Sequence, residues 1–262
     1  LKSAIWQGAA VAADKQANLS TVDRVVAAAE NLGVDIVVFP ELFTTGYNRG
    51  DGLKELAETV QGESVTALRN IARNYKTAII CGFAEADDGR LFNSAVALDK
   101  NGDLLAHHRK VFLFGDKERQ LFTPGNGFKA FNFAGTVCGL SICYDIEFPE
   151  TGRTMAANGV QVIFNPTANM EPYDQAPLVL APARAVENNM IVLYANYCGV
   201  DGDLEYTGLS AVIAADGKDI VRAGRGESLL TCDLAPVLTE IQKNPLSTQL
   251  TDLRRVSADL FK

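Results

Sequence analysis

Four side chains, Cys143, Lys110, Glu41 and Glu118, have the types and settings that chemistry would need. Cys143 closes an apolar run, Thr136–Ile142, that reads as a buried strand, and Pro149 then opens a helix. Proline suits a first helical position because the N–H it lacks has no partner there. A nucleophile on such a strand-to-helix turn projects above a sheet edge, with free backbone N–H groups close by, as in the serine nucleophile elbow. The positive end of a helix favours thiolate over thiol, so a cysteine reactive at neutral pH is expected. The stretch fits equally well with Cys143 as one more small buried apolar residue.

Glu41 directly follows the apolar strand Asp35–Phe39 and Pro40, at the kind of sheet edge where α/β folds hold ligands. A carboxylate there, partly stripped of water, has a raised pKa and can act as a general base. Its plainer role is to cap the next segment. Lys110 ends a strand, Leu104–Lys110, whose alternation groups it with Leu104, Ala106 and His108. If that face points inward, Lys110 is a buried cation and must be paired; if not, it is a solvated strand end. Glu118, eight residues further on, is a candidate partner or one more acid in a charged loop.

The elements that must position these residues are those of an α/β protein. Lys2–Gln7 reads as a first strand, Ser20 with Asp23 as a capping box for a helix to about Asn31, and Gly33 as its stop. The strand–helix–strand start implies a parallel crossover. Ser64 caps a second helix to about Tyr75. Thr77–Ala84, Leu91–Leu98 and Leu104–Lys110 follow as strands joined by turns at Asp88-Gly89 and Asn101-Gly102-Asp103, so the sheet is mixed. Phe128–Phe133, Thr136–Ile142, Val160–Asn165, Met190–Asn196, Thr207–Ala214 and Glu227–Cys232 complete the strands. Helices are expected after Pro149, over 176–188 and over Ala235–Gln242. The remaining tail, about 244–262, is expected to be irregular and to dock through Leu246, Leu250, Leu253 and Leu260, at a second subunit. No linker or repeat divides the 262 residues, so a single domain is expected.

Composition narrows the function. With 47% hydrophobic and 21% charged residues the chain has ample core for an enzyme. A net charge of −8 argues against nucleic acid and against an anionic membrane surface. No apolar run of about 18 residues is present to span a membrane. Leu1 to Gln7 lacks the basic start and long apolar centre of a signal peptide, which makes the cytoplasm the expected compartment. Five scattered cysteines without C-x-x-C spacing fit neither a disulfide framework nor a zinc site. The only histidines are His107 and His108, so Cys143 is expected to rely on another base.

Phe39-Pro40-Glu41-Leu42-Phe43, Arg109-Lys110-Val111-Phe112-Leu113-Phe114 and Gly139-Leu140-Ser141-Ile142-Cys143-Tyr144-Asp145 together resemble the three signature blocks of the nitrilase superfamily of carbon–nitrogen hydrolases. Thr44–Asn48, Tyr144–Glu150, Pro166–Met170, Arg184–Asn188 and Tyr194–Gly199 are most similar to bacterial aliphatic amidases, the 5-aminopentanamidase group especially. The resemblance implies a four-layer αββα sandwich of two mixed sheets, a homodimer or higher oligomer, and a Glu41–Lys110–Cys143 triad with Glu118 as fourth member. It further implies a small amide substrate, hydrolysed through a cysteine thioester, with the Tyr144 N–H and Lys110 meeting the oxyanion. Neither metal nor cofactor has a task in such a scheme. Tyr47, Phe114, Glu147, Asn169, Met170 and Tyr173 are the expected substrate contacts, with Phe43 a further candidate for an apolar wall.

The loops Asn165–Gln175 and Gly199–Tyr206 carry Glu171, Asp174, Asp201, Asp203 and Glu205 and no Lys or Arg, which favours a cationic or neutral substrate tail. Arg184, Glu187 and Asn188 have helical spacing and are expected to brace the site. The rival readings are a nitrilase or N-carbamoyl amidohydrolase using the same residues, an acyl transferase, and a non-catalytic binding protein on the same fold.

Overall fold

A computed structural model describes the backbone of residues 1–260 and the side chains through Arg255. In chain order the elements are β1 (Lys2–Gln7), α1 (Lys15–Asn31), β2 (Ile36–Val38), α2 (Leu53–Leu56), α3 (Glu63–Tyr75), β3 (Ala78–Asp87), β4 (Arg90–Leu98) and β5 (Leu104–Arg109). Next come α4 (Gly115–Leu121), β6 (Ala130–Phe133), β7 (Thr136–Leu140), a 3-10 turn (Cys143–Glu147), α5 (Pro149–Ala157), β8 (Val162–Pro166), a π turn (Ala176–Leu180), α6 (Ala181–Asn188) and β9 (Ile191–Ala195). The rest is β10 (Cys198–Asp201), β11 (Leu204–Thr207), β12 (Ala211–Ile213), β13 (Asp219–Arg222), β14 (Ser228–Asp233), α7 (Ala235–Lys243) and α8 (Gln249–Leu260).

Two six-stranded mixed sheets form, β14-β1-β2-β3-β4-β5 and β13-β12-β9-β8-β7-β6, with the hairpin β10–β11 standing apart. Strand alternation sorts the apolar residues into layers. Ile5, Ile36, Val38 and Ile80 of one sheet meet Leu140, Val162, Phe164 and Leu193 of the other in a central core. On the opposite face of the first sheet, Ala4, Val37 and Ile79 pack under α1 and α3. On the second, Ile163, Val192 and Ile213 pack under α5 and α6. This is the four-layer αββα sandwich in a single domain.

Local signals moved some boundaries. The helix α1 begins at Lys15, capped by Asp14, whose carboxylate accepts from Ala17 N–H, and Ser20 lies inside it. Ser64 falls one residue inside α3, and its N–H donates to Glu58 instead. The expected strand Thr207–Ala214 is broken at Gly208 and Leu209, both with positive φ, so Thr207 closes the hairpin and Ala211 starts β12. The tail is helical rather than irregular. Leu250 packs on the α5–α6 cluster and Ser247 exchanges two hydrogen bonds with Asn189, whereas Leu246 is exposed. The Leu260 side chain lies outside the described residues. No helix among those residues is long and apolar enough to cross a membrane.

β5 is held from its outer face. Glu85 on β3 accepts from Ser94 Oγ (2.5 Å), Arg109 Nε (2.9 Å) and His107 Nε2 (2.8 Å). Burial alone would raise the Glu85 pKa, but these hydrogen bonds outweigh it and hold the carboxyl down to about 2. A depressed carboxylate stabilises the fold above its unfolded value near 4.5 and loses that contribution as pH falls toward 2. Between those limits the wild-type melting temperature should therefore fall more steeply with acid than that of Glu85→Gln. Parallel curves would remove Glu85 as a source of acid sensitivity.

Candidate active site

Three strand ends deliver the site. Chain leaving β2 reaches Glu41, chain leaving β7 reaches Cys143, and β5 ends one residue before Lys110. Inward alternation holds for Ala106, His108 and Lys110, all buried, but not for Leu104, which starts the strand in solvent. Lys110 Nζ lies 2.8 Å from Glu41 Oε1 and 2.8 Å from Glu118 Oε1, with all three side chains essentially without solvent contact. An ammonium has three N–H donors, so one remains for another acceptor. Burial alone would lower the Lys110 pKa; the Glu118 and Glu41 carboxylates instead hold it well above the usual value, so it stays a cation. Burial raises the pKa of Glu41 even though Lys110 opposes the shift.

Residues that the sequence did not mark as site residues also hold Glu41. Asn93 Nδ2 donates to Glu41 Oε1 at 2.6 Å and Tyr197 Oη donates to its backbone carbonyl at 2.7 Å. Glu41 Oε2 is buried with no hydrogen-bond partner, which leaves it free to accept a proton. Gly82 on β3 underlies this segment. A Cβ there would sit 2.7 Å from Glu41 Cα and closer still to Leu42 N.

Asp145, two residues past Cys143, ties the lysine loop to the cysteine turn. Its Oδ1 accepts from the N–H groups of Val111 (3.0 Å) and Phe112 (2.8 Å). Its Oδ2 faces Ile142 N–H and His108 Nε2, both at 3.0 Å. Arg184 braces the same turn by donating to the Ile146 carbonyl at 3.2 Å, while its guanidinium pairs with Glu187 at 2.5 Å.

Cys143 opens the 3-10 turn with φ 47°, a left-handed conformation that costs a non-glycine residue about 1–3 kcal/mol and marks a constrained site. Its thiol is not activated at rest. Burial, and after it the Glu41 carboxylate, push the Cys143 pKa well above its ordinary value, against a smaller pull from Lys110. Burial, more than the surrounding charges, thus works against the thiolate expected at a helix N-terminus. Tyr144 N–H belongs to the first turn, where helical N–H groups have no internal partner.

A cavity of about 550 Å³ reaches this centre at Glu118 and Tyr47, with Phe114, Met170, Tyr173 and Leu204 among its walls. Tyr47 Oη donates to Glu118 Oε1 at 2.7 Å, and Phe114 N–H donates to Glu118 Oε2 at 2.7 Å. The other expected contacts fall elsewhere. Asn169 is buried, its amide N–H groups taken by the Tyr173 carbonyl and Thr207 Oγ1, so it shapes the loop from behind. Phe43 packs in the core against Phe39 and Tyr197. Glu147 is partly buried outside the cavity lining, and burial raises its pKa while Lys110 lowers it.

A family model described as carbon-nitrogen hydrolase matches residues 2–243. The chain belongs to the carbon-nitrogen hydrolase family. An (R)-stereoselective amidase of a Pseudomonas species is 36% identical over 194 residues, 74% of this chain and 70% of that protein. A nitrilase of Pyrococcus abyssi is 35% identical over 214 residues, 80% of each chain. An amidase from Nesterenkonia sp. superposes with a TM-score of 0.89 at 32% identity, covering 98% of the hydrolase and 95% of that chain. Among other structures of a Nesterenkonia amidase, one shows acrylamide added to the active-site cysteine and another, a cysteine-to-alanine variant, is a complex with butyramide.

Because Gly82 sits directly under Glu41, Gly82→Ala should displace the carboxylate rather than merely crowd the core. The expected result is a stability loss of about 1–3 kcal/mol together with a fall in kcat. Unchanged kcat in a folded variant would show that the close approach does not set the position of Glu41.

Proposed function

We propose that this carbon–nitrogen hydrolase cleaves small aliphatic primary amides to the carboxylic acid and ammonia through a thioester on Cys143. The observation that carries the reading is the buried Lys110 ammonium held between Glu41 and Glu118. The amide carbonyl oxygen would take the remaining Lys110 N–H and the Tyr144 N–H. As the Cys143 sulfur attacks the carbon, Glu41 Oε2 receives the thiol proton and passes it to the departing ammonia. Glu41 then deprotonates the water that opens the thioester. Splitting one hard displacement into two steps is what covalent catalysis contributes, and a preorganised donor for the oxyanion is worth roughly 3–4 kcal/mol of barrier. Three of Glu118's acceptor positions are already taken by Lys110, Tyr47 and Phe114. Its role is therefore to hold Lys110 rather than to exchange protons.

The cavity suits a short apolar tail along Phe114, Met170 and Tyr173. The acidic loops give less support to a cationic tail than their composition suggested. Glu171 and Asp174 both pair with Arg225, Asp201 pairs with Arg49, and Asp203 accepts from Asn48. The cations come from outside the two loops, which is why the loops alone looked uncompensated. Substrates with neutral tails, butyramide first, are accordingly favoured, with 5-aminopentanamide as the test of whether Glu147 attracts an amine. A homodimer belongs to the same proposal, and exposed Leu178 and Val179 on the π turn with Val186 on α6 offer it apolar surface.

Ammonia release from butyramide, 5-aminopentanamide, butyronitrile and an N-carbamoyl amino acid should give the highest kcat/KM with an amide. A nitrile or carbamoyl compound turned over faster would overturn the substrate class. Cys143→Ala and Glu41→Gln should abolish turnover while the protein melts cooperatively. Lys110→Ala should do so too and lose about 3–5 kcal/mol of stability, since it strands two buried carboxylates. Activity surviving in any of the three, measured at saturating amide, would remove that residue from its role.

A further inference from the structure

Tyr47, Asn48 and Arg49 are consecutive, yet they grip two different parts of the molecule. Tyr47 Oη donates to Glu118 Oε1, the same oxygen that Lys110 Nζ contacts. Asn48 Nδ2 donates at 2.8 Å to both the Asp201 carbonyl and Asp203 Oδ1, and the Arg49 guanidinium pairs with the Asp201 carboxylate. Asp201 and Asp203 flank the tip of the β10–β11 hairpin, which belongs to neither main sheet. Beside that tip, Leu204 enters the wall of the catalytic cavity. A substrate touching Leu204 is thus linked to the lysine cluster through a hairpin tip, an ion pair and two peptide units.

The Arg49–Asp201 pair differs from a surface salt bridge. The two side chains retain only 16% and 21% of their exposure, and Arg49 Nε is buried with no hydrogen-bond partner. Exposed pairs hold little, but a pair withdrawn from water fixes its two segments firmly, because separating them leaves a charge uncompensated. The segment so fixed has no regular structure of its own at Tyr47, which lies between Gly46, with φ 79°, and the 3-10 turn at Gly50–Gly52. Tyr47 is therefore placed from the hairpin side as well as by its bond to Glu118.

We propose that Arg49 is a positioning residue. By docking the hairpin tip through Asp201, it sets the Tyr47–Glu118–Lys110 chain of hydrogen bonds, and so the direction in which the lysine's remaining N–H points. The inference rests on the role assigned to Lys110 above. A merely structural clamp would shape the cavity wall and act on KM. A positioning clamp acts on the transition state and lowers kcat.

The test is a double-mutant cycle of Asp201→Asn and Tyr47→Phe, read as kcat and KM with butyramide, or with 5-aminopentanamide should that be the faster substrate. Asp201→Asn alone should lower kcat by about ten- to a hundredfold, the usual consequence of a small misplacement near a reacting centre. In the Tyr47→Phe background the same change should alter kcat by less than about twofold, because the path it acts through is already cut. Equal factors in both backgrounds, or a rise in KM with kcat unchanged, would overturn the proposal. If Asp201→Asn does not melt cooperatively, Arg49→Gln, which removes the same ion pair, goes through the same cycle with the same reading. Lys110→Ala is the control. Turnover surviving it sinks the role of Lys110, whereas an additive cycle alongside an inactive Lys110→Ala sinks only that of Arg49.

Discussion

A single ammonium buried between two carboxylates sets the terms for the rest of the molecule. Taking Lys110, Glu41 and Glu118 out of water costs several kcal/mol per ion, and only close geometry offsets it. The group carries one negative charge in excess when both acids are ionised. Burial first, and the Glu41 carboxylate after it, push the pKa of the neighbouring Cys143 well above its ordinary value. In the proposed reaction an amide would change the balance as its oxygen begins to carry charge toward Lys110. The nucleophile would then be generated in the presence of its target, and no free thiolate need be stored beforehand.

Such a cluster needs a frame that cannot relax, and the two sheets supply it from opposite sides. Glu41 and Cys143 leave strands of different sheets, so their separation is set by the packing of the central core. Asp145 adds a direct tie, since four donors from the lysine loop, the cysteine turn and His108 converge on its two oxygens. Gly82 and Gly125 allow backbone to approach where a side chain would intrude; Gly125 N–H donates to the Lys110 carbonyl at 2.8 Å. Leu42 and Cys143 both have positive φ; the Leu42 carbonyl accepts from Thr45 and Gly46 N–H, and Ile142 N–H beside Cys143 donates to Asp145.

Much of this was legible in the sequence, and the limits have physical causes. Continuous apolar runs such as Ile36–Phe39 and Thr136–Ile142 marked buried strands, and the residues just past them marked the site. Alternation along β5 grouped Lys110 with Ala106 and His108 correctly, because half-buried strands repeat every two residues. The layering into two sheets came from family resemblance, since alternation says which face is buried but not what covers it. Asn93 and Tyr197 reach Glu41 from β4 and from beyond β9, at sequence distances of 52 and 156 residues, and no local pattern encodes such meetings. The β10–β11 hairpin was missed for a different reason: Cys198–Asp201 is too short and too glycine-rich to read as a strand.

The loop acids show how charge can mislead when read segment by segment. Residues 165–175 and 199–206 contain only acids among their charged groups, yet Arg49 and Arg225 arrive from elsewhere to pair with Glu171, Asp174 and Asp201. The two arginines offset part of that charge, so the rim of the cavity is less negative than composition suggested. Tyr47, Phe114, Met170, Tyr173 and Leu204 give the cavity apolar wall area beside polar Asn48 and Gln120; on the proposed reading, shape and apolar contact would do most of the discrimination. A methylene more or less in an apolar pocket changes specificity by only about 1–3 kcal/mol. On the proposed reading, a site of this kind would accept a series of short amides with graded efficiency, its sharp requirement being the carbonyl that meets Lys110.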